Sequence, residues 1–173
     1  KLSAPSSEVD LAVQEALAVF SLLDKTLRRH KCTAKDVLMV HLYLSEISHF
    51  AAINTHYRDV FGVLLPPSRS CVAVGKGVLP GGRRVMLDCI VQCGSGQYMR
   101  TLATDTAIID DPYTKAAHKT STSWLRQVLH VQSISHWAPV CVGPYSQVNT
   151  LRSSLHFLAG QIGLKPASMT LHD

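Results

Sequence analysis

Two adjacent prolines, Pro66 and Pro67, divide the first half of the chain more sharply than any other feature. Each fixes φ at about −65° and removes a backbone donor, and the residue before each is pushed out of the helical region. Any helix ahead of them must stop there, and the residues that follow read as a strand over 70–75. Arg69 and Cys71 stand at its start. A guanidinium at a strand start is well placed to grip a planar carboxylate with two parallel hydrogen bonds, so Arg69 is the first candidate for chemistry.

The elements around the prolines follow from periodicity. Ser7 suits a helix N-cap with Asp10 three residues on, and Val13, Leu17, Phe20, Leu23 and Leu27 recur at helical spacing, which predicts a helix over 8–30. The basic run from Arg28 to Lys31 suits the negative end of its dipole. Val37 to Leu44 is apolar on both alternating faces and reads as a strand covered on each side, by a helix and by a second cover open to a partner subunit. Ser48 begins a second helix whose face carries Phe50, Ile53, Tyr57, Val60 and Phe61. A strand over 84–92 follows the turn from Gly77 to Gly82. That turn lacks the Lys-Ser/Thr of a phosphate loop and reads as a glycine-rich hairpin. Periodicity is lost over 94–123, a linker. Beyond it Leu125, Gln127, Leu129 and Val131 alternate with Arg126, Val128, His130 and Gln132 as in a half-buried strand, Trp137-Ala-Pro breaks the pattern, and 155–162 reads as a last strand before a polar tail.

Composition narrows the function classes. At 173 residues and 46% hydrophobic content the chain can build one ordinary core. No apolar run approaches the roughly 20 residues that span a bilayer, so no membrane partner is expected. Five scattered cysteines without Cys-x-x-Cys spacing argue against a disulfide framework or a zinc site and for a reducing, cytoplasmic setting. The net charge of +5 is dispersed and not interleaved with aromatics, the pattern of a solvated basic surface rather than a nucleic-acid interface. Of nine histidines, His49 and His56 are seven residues apart on one helix, about 10 Å along its axis and too far for one ion, and His41 has no acidic neighbour in sequence. No metal is expected. The N-terminus lacks the order of a secretory signal, and the chain is expected to be a fragment or processed product.

Two separated segments resemble one family. Asn54 to Tyr57, Pro67-Ser-Arg-Ser-Cys-Val72, Leu79-Pro80 and the strand at Val85 to Val91 are similar to the C-terminal half of the YjgF-type (Rid, formerly endoribonuclease L-PSP) family. Gly143-Pro-Tyr-Ser-Gln147 and Ala159-Gly-Gln-Ile-Gly163 resemble that family's beginning. The order is inverted: the end of one domain over 1–94, a linker over 95–123, and the N-terminal strands of a second over 124–173. Ser135-His-Trp-Ala-Pro with Cys141 to Gln147 is similar to the opening of the second of two tandem repeats that follow an ATP-dependent amidating domain in a long eukaryotic ligase acting on elongation factor 2. Nothing here resembles the nucleotide-binding segment, so no cofactor is expected in this chain and ATP belongs to that parent domain. The resemblance implies an α+β, chorismate-mutase-like fold, one mixed sheet backed by two helices, in homotrimers with a cleft between neighbouring sheets. The strands over 126–162 are those missing ahead of the first helix. They either open a second domain or complete the first in permuted order.

The resemblance also implies a site. In active relatives the arginine at the position of Arg69 holds the carboxylate of an enamine or imino acid, and a glutamate on the last strand positions water for hydrolysis to a keto acid and ammonia. Arg69, Asn54 and Cys71 match the ligand set, as do Tyr145 and Gly160 across the cleft. The glutamate is replaced by Met86, whose thioether neither takes a proton nor orients water as a carboxylate does. Asp88 shares its face but lies about 7 Å further along the strand. No catalytic residue is assigned. Each match has a plainer alternative: Arg69 paired with a neighbour's carboxylate, Cys71 packed as a small hydrophobe, Tyr145 in a subunit interface, Asn54 bonded to a loop carbonyl. Three functions stay open: a binding and assembly module, an enamine/imine deaminase, and an RNA-binding or RNA-cleaving protein. The last lacks a general-base pair and an aromatic platform.

Overall fold

The computed structural model describes residues 7–93, 126–152 and 154–171, together with the backbone of 100–102. Helix α1 spans Glu8–Arg29; Ser7 Oγ accepts the Asp10 N–H at 3.1 Å, and Glu8, Asp10, Arg28 and Arg29 match the helix dipole. Its buried row is Ala12, Ala16, Phe20, Leu23 and Leu27, whereas Leu17, expected to face inward, is 45% exposed. Small alanines sit where α1 lies against its neighbours, and this turns the apolar stripe away from Leu17.

A capped turn at Thr33–Asp36 leads into β1, Val37–Leu44, the central strand of a three-stranded sheet ordered β2-β1-β3. A single 3-10 turn at Ile47–His49 precedes α2, Phe50–Phe61, so the helix starts later than Ser48 and carries no side-chain cap. Gly62, with φ 73°, and the two prolines end it. Strand β2, Ser68–Ala73, runs parallel to β1 and begins two residues before expectation, because β1 pairs Met39 with Ser68 and Val40 with Arg69. Strand β3, Val85–Val91, lies antiparallel on the other side of β1. Since β2 and β3 flank β1 without touching, the glycine-rich stretch between them is a crossing over the end of β1 and not a hairpin; Gly81 and Gly82, both at positive φ, make its turn. Arg84 ties the start of β3 to α1, its N–H and Nη1 donating to Glu15 and its Nε to Glu8. Both helices pack on one face of this sheet, around Val40, Leu42, Leu44, Ile53, Tyr57 and Val85. Among the described residues no helix is long and apolar enough to cross a membrane.

A second sheet is ordered β4-β5-β6-β7: Arg100–Leu102, Arg126–Leu129, Val148–Leu151 and Leu155–Leu158. β4 lies within the stretch expected to be a linker, and the rest of that stretch falls outside the described residues. β5 buries Arg126 and Val128 and exposes Leu129, the reverse of the expected alternation. The cause is Arg126 itself. Its Nε donates to Asn149 Oδ1 at 2.6 Å and its Nη1 to the Lys35 carbonyl at 2.6 Å, which turns its face inward. β6 was not expected, because a buried Asn149 interrupts its apolar pattern. β7 ends at Leu158 rather than running to residue 162, since the next two amides turn to other acceptors: Ala159 to the Gln147 carbonyl and Gly160 to the Arg69 carbonyl.

The two sheets abut along the free edge of β2. Ser68 and Ser146 form a parallel bridge, Ser146 donates through N–H and Oγ to the Pro67 and Pro66 carbonyls, and Asn149 Nδ2 donates to Ser68 Oγ at 3.0 Å. Replacing Arg126 with Ala would remove the hydrogen bonds it gives to Asn149 Oδ1 and to the Lys35 carbonyl. We expect a loss of about 2–4 kcal/mol in urea unfolding, and a loss below roughly 1 kcal/mol would show that the joint does not depend on it.

Candidate ligand site at the start of β2

The parallel register that pairs Arg69 with Val40 turns the Arg69 side chain toward the helices, where it is 3% exposed. Nη1 donates to Asn54 Oδ1 on α2 at 2.6 Å. Three rings flank the guanidinium, with Cζ 4.5 Å from the Tyr57 centroid, 5.2 Å from Tyr145 and 5.3 Å from Phe50. Burial pulls its pKa down, but an arginine keeps its charge in a protein. Among the described residues no carboxylate pairs with it.

The remaining sequence candidates divide. Tyr145 and Gly160, expected across a cleft, reach Arg69 from the same chain: the Tyr145 ring stacks on the guanidinium, and the Gly160 N–H donates to the Arg69 carbonyl at 3.0 Å. Asn54 serves Arg69 rather than a loop carbonyl. Cys71 lies two residues along β2, half-buried against the helix-side core, and burial pushes its thiol pKa up against the pull of Arg69. Burial there favours the neutral thiol. Cys141 is pushed up to about 12 for the same reason.

Sequence reasoning missed two residues. A Cβ placed on Gly143 would sit 2.8 Å from Arg69 Nη2 and 3.0 Å from Asn54 Nδ2, so bare backbone closes over the guanidinium there. The signal was present in Gly143-Pro-Tyr-Ser-Gln147, though only the fold shows what the glycine meets. The Tyr57 hydroxyl is buried and has no hydrogen-bond partner among the described residues, and burial keeps it neutral. A groove of about 450 Å³, lined by Arg58, Val63, Leu64, His130 and Cys141, borders the same Gly143.

Met86 is not brought to Arg69. It pairs with Tyr43 on β1 and, by strand alternation from the helix-packed Val85 and Leu87, points to the sheet face away from the helices. Asp88 shares that open face, and there it corrects the expectation that His41 lacks an acidic neighbour. Asp88 Oδ1 lies 2.6 Å from His41 Nδ1, and Tyr43 Oη donates to Oδ2 at 3.1 Å. Residues 47 positions apart in sequence meet because β1 and β3 are in register at His41 and Asp88.

Two helices laid on one face of a mixed sheet, with a buried arginine opening the parallel edge strand, define an α+β protein of the Rid type. Residues 5–93 match the endoribonuclease L-PSP family, and the chain belongs to that family. Over 161 residues it is 34% identical to the diphthine–ammonia ligase of Schizosaccharomyces pombe, covering 92% of this chain and 21% of the relative. It is 31% identical over 160 residues to that of Saccharomyces cerevisiae, covering 88% and 20%. The chain thus spans about a fifth of the length of these curated relatives. Among solved structures, yeast YEO7 is 30% identical with a TM-score of 0.42, covering 51% of this chain and 65% of that one.

Gly143→Ala tests the close approach. The added methyl must displace a buried guanidinium or its amide partner, and we expect a stability loss of about 1–3 kcal/mol by chemical denaturation. A neutral effect would mean that the 143–145 segment does not rest on Arg69.

Proposed function

We propose that the chain is the Rid-like region of a diphthine–ammonia ligase, and that it binds a small carboxylate and joins subunits while another part of that enzyme performs the chemistry. In this reading the parent enzyme works in the cytoplasm, where it uses ATP and ammonia to amidate diphthine on elongation factor 2, the last step of diphthamide synthesis. The alignments with two such ligases over most of this chain support the assignment.

The observation that carries the binding role is the isolated charge of Arg69. Taking a guanidinium out of water costs several kcal/mol, which one amide and three rings offset only in part. A carboxylate meeting its remaining donors in a bidentate pair offsets the rest, and the ring walls suit a short 2-oxo or 2-imino acid. The second segment, 126–171, completes the first repeat in permuted order; its bridge to Ser68 and the Gly160–Arg69 hydrogen bond support this. Assembly uses the open sheet face, where Val72, Met86 and Ile90 are each about two-fifths exposed beside Tyr43. Three copies that bring these faces together form the proposed homotrimer.

Catalysis is not part of this reading, because Met86 stands where the family acid is needed and Asp88 is committed to His41 and Tyr43. One observation favours the deaminase alternative: the His41–Asp88 pair is an acid–base couple on the same open face as Met86.

Titrating the chain with short 2-oxo acids should give saturable binding that weakens about tenfold or more in Arg69→Gln. Equal affinity in the two proteins rejects the site. Supplying an imino acid generated in situ should give no Arg69-dependent ammonia, and clear Arg69-dependent release establishes the deaminase instead. Light scattering should show a trimer that Ile90→Lys dissociates; a monomeric parent chain rejects the assembly role.

A further inference from the structure

We infer that Cys32 and Cys93 form a thiol–disulfide site, at which a small-molecule disulfide of the glutathione kind closes the pair into an intramolecular bridge. Their sulfurs lie 3.4 Å apart, although they are 61 positions apart in sequence. A disulfide bond is about 2.05 Å long, so the sulfurs must approach by roughly a further 1.4 Å.

The fold holds both backbones in place for this. Cys32 follows directly on α1: Lys31 takes the left-handed turn that leaves the helix, and the Cys32 N–H donates to the Leu27 carbonyl at 2.8 Å. Cys93 follows β3, where the Gln92 N–H donates to the Asp36 carbonyl at 2.9 Å and keeps the strand end beside the turn that starts one residue after Cys32. The meeting of the sulfurs is thus a product of two anchored chain segments, not of two mobile ones. Among the described residues Cys71, Cys89 and Cys141 have no such sulfur neighbour.

The two thiols are unlike, and this sets the order of events. Cys93 is exposed, while Cys32 is 4% exposed and its thiol is pushed up to about 11 by burial and by Cys93. Cys93, as the thiolate, attacks one sulfur of glutathione disulfide; that S–S bond breaks, and one glutathione leaves as a thiolate that takes up a proton. Cys32 then gives its proton to solvent, and its sulfur displaces the second glutathione from Cys93. Two protein thiols are oxidised by two electrons and one glutathione disulfide is reduced to two glutathiones, with no other reagent. The bridge ties the end of α1 to the end of β3, at the point where the chain leaves the first sheet for residue 94 and beyond.

The experiment equilibrates the whole chain with glutathione disulfide and maps thiols and linked peptides by mass spectrometry without reduction. The parent chain should lose two of its five free thiols, retain no glutathione and yield a Cys32–Cys93 cross-link. Cys32→Ser should stop at one glutathione held on Cys93, with Cys32→Ala replacing it if the serine variant does not fold. Cys93→Ser should keep its remaining thiols free. Oxidation should raise the melting temperature of the parent chain by about 5 °C or more, reversibly with dithiothreitol. The inference is overturned if all five thiols stay free, if Cys93 keeps its glutathione while Cys32 is intact, or if the cross-link joins any other pair.

Discussion

The desolvated guanidinium of Arg69 is the constraint around which the rest of this structure is arranged. A charge so deeply buried is tolerated only where hydrogen bonds and polarisable surfaces replace water. The replacements come from two parts of the chain: the amide and two rings from α2, and a third ring and bare backbone from the 143–145 segment. Moving any of them exposes the cost of the others. The site is therefore also the joint between the first sheet and the C-terminal strands.

That joint rests on a second buried arginine. Arg126 reaches from β5 to Asn149 on β6 and to the backbone at Lys35, so it links the two sheets by hydrogen bonds rather than by apolar contact. Ser146 and Asn149 continue the same polar seam along Pro66, Pro67 and Ser68. Buried polar seams of this kind specify one register, since a shift by one residue would leave several donors and acceptors unmatched at once. The apolar core beneath the helices supplies bulk stability, while the seam determines where the C-terminal strands sit.

The two faces of the first sheet carry different chemistry. The helix side holds Arg69 and neutral thiols; the open side holds Met86, the His41–Asp88–Tyr43 cluster and exposed apolar residues. Within one chain Arg69 and Met86 thus lie on opposite faces of the sheet.

Local periodicity was enough to read α1, β1, α2 and the proline stop, because those elements depend on neighbours within a turn or along a strand. Arg69 was marked by its place after the prolines, and Asn54, Tyr145 and Gly160 by the resemblance of short motifs to one family. Periodicity failed at Leu17, at the inverted face of β5 and at β6, where Arg126 and Asn149 are polar residues that only their distant partners make fit for burial. The meeting of His41 with Asp88, and of Cys32 with Cys93, was likewise invisible, for spacing along the chain says nothing about which strands become neighbours. By itself the sequence determined which stretches become the two helices and the strands of the first sheet, to within a few residues at their ends, and it marked Arg69 as a candidate. Only the tertiary structure decided what that arginine touches and which faces oppose, because strand register and the docking of one sheet on another set every contact between residues far apart in the chain.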